Sequence, residues 1–175
     1  MTTTAVEVVI WTLEDLIDGG GTAACDDLLA QAAEHAATFA AAHAGRVAQL
    51  DGAGLAAAME ELAAIGDLAG RAANYAHLRF SGDTEDPANG ALVASVTERG
   101  TAIETQLLFF ELEWAAIDDG DADALLQADG LDSVRHYLRT VRRYRPHLLS
   151  EPEEKLVAEK SVTGSSAWSD RKSVV

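Results

Sequence analysis

The chain has 175 residues and a formal charge of −16, so it is long enough for one domain with a real core and a second domain is not expected. That charge argues against a nucleic-acid binder, because phosphates require a net basic surface, and it suits solubility or a salty habitat. Hydrophobic residues make up 48%, many of them alanine, against only 14 glycines and 3 prolines, so helix formers prevail over helix breakers and the expected fold class is all-α.

Val6 to Leu16 is the least helical stretch and reads as an extended arm, with Trp11, Leu13 and Leu16 as anchors onto a core. Gly19-Gly20-Gly21 closes it as a flexible join, since a glycine triplet costs conformational entropy when ordered. The arm and join together take residues 1–21. A first long helix is predicted from about Asp26 to Ala44, with Asp26 or Asp27 as cap and Gly45 as stop. Its inner face is Leu29, Ala32, Ala36, Phe39 and His43. A second is predicted from about Gly54 to Phe80, with Leu55, Met59, Leu62, Gly66, Ala69, Ala73, Ala76 and Phe80 on one stripe.

The third helix opens with Asp86 as cap and Pro87 at its first position, a favoured pairing, and runs to about Asp118. Val93, Val96, Gly100, Ile103, Leu107, Phe110, Trp114 and Ile117 keep a 3-4-3-4 spacing, the seam of helices crossing at a shallow angle. Leu108 and Leu112 add a second apolar strip, which predicts neighbours on more than one side. The second and third helices should form a long, alanine-lined antiparallel hairpin. Beyond Asp118-Asp119-Gly120, a short helix is expected near Ala122 to Gln127. Another follows from about Ser133 to Arg145, with Val134, Leu138, Val141 and Tyr144 inward and Pro146 as its end. The last opens at Ser150-Glu151-Pro152-Glu153, where Ser150 and Glu153 form a capping box. The expected architecture is a helical bundle built on that hairpin, with the extended N-terminal arm.

No apolar run is long enough to cross a membrane. Met1 to Ile10 lacks the basic start and apolar stretch of a signal peptide. A single cysteine, Cys25, makes neither an internal disulfide nor a cysteine-based zinc site, which fits a reducing cytoplasm. Asp26 and Asp27 would raise its thiol pKa while a helix N-terminus would lower it, so the sign stays open and an inert thiol is expected.

The five histidines, His35, His43, His77, His136 and His147, begin no H-E-x-x-H motif and follow no glutamate three residues earlier. Gly19-Gly20-Gly21 has neither the spacing nor the lysine of a phosphate loop. Arg135, Arg139, Arg142, Arg143 and Arg145 form a basic cluster. It reads either as a grip on a carboxylate or acidic partner, or as a surface salt-bridged to the chain's own acidic helices, and the second is expected. No catalytic, cofactor-binding or metal-ligating residue is assigned.

Two segments near the C-terminus are specific. Pro146-His147-Leu148-Leu149-Ser150-Glu151-Pro152-Glu153-Glu154-Lys155, then Thr163-Gly164-Ser165-Ser166-Ala167-Trp168, resemble the P-H-x-L-S-x-x-E-E-K and T-G-x-x-A-W segments of the oligoendopeptidase F family. Trp11-Thr12-Leu13-Glu14-Asp15-Leu16 is similar to the family's W-x-L-x-D-L start, and Phe109-Phe110-Glu111-Leu112 also fits, so the resemblance spans about Trp11 to Ser169. It implies an N-terminal helical domain, residues 22–169, of a zinc metallopeptidase that cuts short peptides inside a helical shell. The H-E-x-x-H helix and zinc belong to the downstream part of such an enzyme, so no cofactor is expected in this chain and zinc is expected in the full-length parent. Expected partners are the rest of that parent and, for the parent, short peptides, with no nucleic acid and no membrane.

After Ala167-Trp168 the family continues into a helix with an apolar L-F pair, whereas this chain reads Ser169 and then Asp170-Arg171-Lys172-Ser173-Val174-Val175. Those six residues match the translation of a common sequencing-adapter stretch and are expected to be a non-native tail, 170–175. The alternative reading of the whole is a free-standing acidic helical module that binds a partner protein.

Overall fold

The computed structural model describes residues 12–164. Trp11, most of the arm, Ala167-Trp168 and the 170–175 tail lie outside the described residues. The described part is all-α: no strand occurs in it, and six helices follow one another. These are α1 (Gly21–His43), α2 (Gly52–Gly82), α3 (Pro87–Ala116), α4 (Asp119–Leu125), α5 (Arg135–Arg143) and α6 (Glu151–Thr163).

The start of α1 corrects the expected one at Asp26. Gly19, Gly20 and Gly21 all take positive φ, and the backbone N–H of Gly21 donates to a carboxylate oxygen of Glu14 at 3.3 Å. A side chain seven residues back thus does the capping, and the good helix formers Ala23 and Ala24 fall inside the helix. Glu14–Leu16 form a single 3-10 turn, where an extended arm was expected, and Ile17 behind it is buried. At the other end Gly45 has φ +74, the left-handed conformation that glycine supplies without strain after a helix.

Pairs of contacts set how α1 lies. Cys25 faces Ala72, and His43 lies 3.9 Å from Glu61, so α1 and α2 run in opposite directions. Arg99 donates to Asp26 at 2.7 Å, and Phe39 stacks against Phe109 and Phe110 at centroid distances of 6.0 and 5.7 Å, so α1 and α3 run the same way. On α1 the expected inner face holds: Leu29, Ala32, Ala36 and Phe39 are buried and His43 is half-buried. On α2 the stripe needs a correction. Gly66 is exposed, and Ile65, Ala72 and Tyr75 are buried instead. This helix packs against both α1 and α3, and those neighbours, not a single 3-4 period, select which of its residues are buried.

On α3, Val96, Ile103, Phe110 and Trp114 are buried, as is Ile117 just after its end, and Leu108 and Leu112 are half-buried. This helix touches α1, α2, α5 and α6, which is why its apolar residues are not confined to one side. Asp86 and Asp118 cap α3 and α4 by accepting backbone N–H groups at 2.9 Å each. The capping box at Ser150 is present, with Glu153 accepting the Ser150 N–H at 2.9 Å. Tyr144, expected inward, is 61% exposed, because α5 ends at Arg143 and the chain turns there into Pro146.

Trp114 is the largest fully buried side chain, and its indole N–H donates to the Leu138 carbonyl at 2.9 Å. Trp114→Ala removes both the packing and that bond, with an expected loss of about 3–5 kcal/mol in urea unfolding followed by circular dichroism. A loss below about 1 kcal/mol would show that α5 does not depend on this contact.

Candidate functional site

Three places in the described residues could carry function: the arginine cluster, the groove between α2, α3 and α6, and the outward side of α6. In the arginine cluster, three of the five arginines serve the fold. Arg142 donates to the carbonyls of Trp114 at 2.9 Å and Ile117 at 2.8 Å, pairs with Asp119, and lies 5.6 Å over the Trp114 ring. Since α3 has no basic residue in its own last turn, this guanidinium supplies the cation that the negative end of the helix favours. Arg135 donates to the Leu126 carbonyl at 2.7 Å and pairs with Asp132, and Arg145 pairs with Asp119 at 3.2 Å. Arg139 and Arg143 are exposed and make no ion pair among the described residues.

Sequence reasoning missed Glu113. Its two carboxylate oxygens accept the N–H groups of Gly45 at 2.7 Å and Val47 at 3.1 Å, tying the α1–α2 connection to the end of α3. No local pattern signals a bond between residues so far apart in the chain.

Cys25 is fully buried, with its sulfur 4.0 Å from the Ala72 carbonyl. Burial first, and then the Asp26 charge, push its thiol pKa up, which settles the open sign: the group is held as a neutral thiol. Because α1 begins at Gly21, Cys25 sits beyond the first turn, where the helix-end field has fallen off. The histidines do not meet. His43 stacks on Phe39 at 4.5 Å, and His35, His77, His136 and His147 are exposed. Among the described residues no three His, Cys, Asp or Glu side chains form a group able to hold a metal ion.

The groove has a volume of 1130 Å³. Its floor is one face of α3, where Gly90, Ala94, Thr97, Thr101 and Thr105 follow at helical spacing and Ala102 lies beside them. Phe80 of α2 and Val162 of α6 form the walls, and Glu98 and Glu159 stand at the sides. The small residues were legible in the sequence, but they lie off the apolar seam and so drew no attention. On α6 itself, Leu156 and Val157 are 54% and 53% exposed, and Leu149 just before it is 49% exposed. Large apolar groups open to water at adjacent positions mark a face that another surface could cover.

Residues 113–171, about a third of the chain, match the family model described as Oligopeptidase F. This stretch is similar to the N-terminal region of oligopeptidase F. Within it fall the end of α3 with Glu113 and Trp114, the whole arginine cluster, and α6 with its capping box. The oligopeptidase F match thus begins at the junction where α3, α5 and the α1–α2 connection are tied together. No curated protein and no solved structure matches the chain at a significant level.

The Asp119 pairing has a pH signature. Its hydrogen bonds to Arg142 and then Arg145 hold its carboxyl below the usual carboxylate range. With the folded-state value depressed, the stabilisation is complete above the unfolded value of about 4 and is lost as pH falls through the lower, folded value. In urea titrations the difference between the protein and Asp119→Asn should therefore be constant near neutrality and shrink below about pH 4. A difference that stays constant into strong acid would remove Asp119 from the account.

Proposed function

We propose that this chain is the N-terminal, non-catalytic part of an oligoendopeptidase F-type zinc metallopeptidase that hydrolyses short peptides in the cytoplasm. The observation that carries the reading is the match over residues 113–171, on a stretch that also contains the P-H-x-L-S-x-x-E-E-K segment. In this reading α1–α6 help form the helical shell that encloses the cleft and restricts it to small substrates, with α2 and α3 as the long antiparallel hairpin of that shell.

The described residues do not fit a zinc site, since their histidines are scattered and no three candidate ligands converge. No catalytic step is therefore assigned to this chain. The H-E-x-x-H helix and its metal belong to the downstream part of the parent.

The rival is a free-standing acidic helical module, whose faces should be polar all round. The exposed Leu149, Leu156 and Val157 run against it and favour a bundle that is covered by more protein.

Two measurements test the reading. Sequencing the native locus past the codon for Trp168 should show an open frame running through an H-E-x-x-H motif. A genuine stop codon shortly after Trp168 would end the enzyme assignment. The purified chain should also show no peptide cleavage and no stoichiometric zinc, and zinc-dependent cleavage by it would overturn the non-catalytic role.

A further inference from the structure

The α2–α3–α6 groove has the dimensions and chemistry of a helix seat. From Gly90 to Thr105 the floor runs 15 residues along α3, about 22 Å at the rise of an α-helix, or some four turns. The floor positions 90, 94, 97, 101 and 105 step by four, three, four and four residues, the spacing of a ridge-and-groove contact between helices. Glycine, alanine and threonine there let a second backbone come close, and Ala94 and Ala102 are exposed although α6 flanks them.

Charge decides the kind of segment. Among the described residues, the ionisable groups lining the groove are Glu98, Glu159 and His77, with no lysine or arginine, so these residues give it a negative field near neutral pH. An apolar stripe flanked by basic residues complements that lining, and an acidic helix is repelled.

We propose that this groove seats one amphipathic α-helix with a basic flank, supplied by the part of the parent protein that lies outside this chain. The inference rests on the reading of the chain as part of a larger peptidase, and it adds where on the bundle that larger protein docks. The apolar stripe of the incoming helix lies along Ala94, Ala102 and the Phe80 and Val162 walls, and its basic side chains pair with Glu98 and Glu159.

The test uses the whole chain and a fluorescent leucine–lysine amphipathic helix of about 15 residues, long enough for the groove. A leucine–glutamate version of it is the counter-probe, and anisotropy is read in about 0.15 M salt. The expected result is saturable one-to-one binding of the basic helix and none of the acidic one. Affinity should fall at least about tenfold in Ala94→Lys/Ala102→Lys, which fills the floor, and in Glu98→Lys/Glu159→Lys. Glu34→Lys/Glu60→Lys, which makes the same charge change on exposed positions of α1 and α2, should leave it within about twofold. Equal loss in that control pair, or no saturable binding at all, would overturn the proposal. So would sedimentation showing a dimer that Ala94→Lys/Ala102→Lys dissolves, since the groove would then seat a second copy. None of these outcomes depends on peptidase activity, so a locus that reads into H-E-x-x-H together with an unbound helix would remove the groove proposal alone.

Discussion

The end of α3 is where the described fold is held together, and the interaction there is a cation placed at a helix C-terminus over a buried indole. Helix ends leave carbonyls without intrahelical partners, and α3 ends among other elements where water is a poor substitute. Arg142 of α5 reaches two of those carbonyls and covers the Trp114 ring, while the Trp114 indole N–H returns a bond to the Leu138 carbonyl of α5. The two helices thus satisfy each other's polar groups across an apolar contact. Asp119 then neutralises the guanidinium on its outer side, so the charge is never left buried and unpaired.

Glu113, one residue before Trp114, extends the same junction to the other side of the bundle. Its carboxylate takes the N–H groups that Gly45 and Val47 cannot place within α1 or α2. Three parts of the chain therefore meet within two consecutive residues of α3. The match to the oligopeptidase F model begins at Glu113 as well.

The arginine cluster is a caution about reading chemistry from composition. Five arginines within eleven residues invite a binding role, yet three of them cap carbonyls or neutralise neighbouring aspartates. The sequence could count the charges, and it already favoured an internal role. It could not say which carbonyls they reach, because those belong to α3 and to the residues that follow α4.

The sequence by itself determined the helices, because helix formation is governed by features within a few residues. The alanine content, the stripes on α1 and α3, Asp86-Pro87 at the start of α3 and the Ser150–Glu153 box are all local, and each reappears in the structure. The P-H-x-L-S-x-x-E-E-K segment was legible for the same reason, being contiguous. Only tertiary structure decided the rest. The start of α1 moved to Gly21 because Glu14 caps it from outside the helix, and the buried line of α2 rotated because its neighbours, not its own period, choose which residues face inward. The neutral thiol of Cys25, the bridging of Glu113 and the groove along α3 likewise depend on side chains brought together from distant positions. Such contacts leave no trace in a local pattern, since their energy comes from desolvation and charge pairing that exist only once the helices have packed.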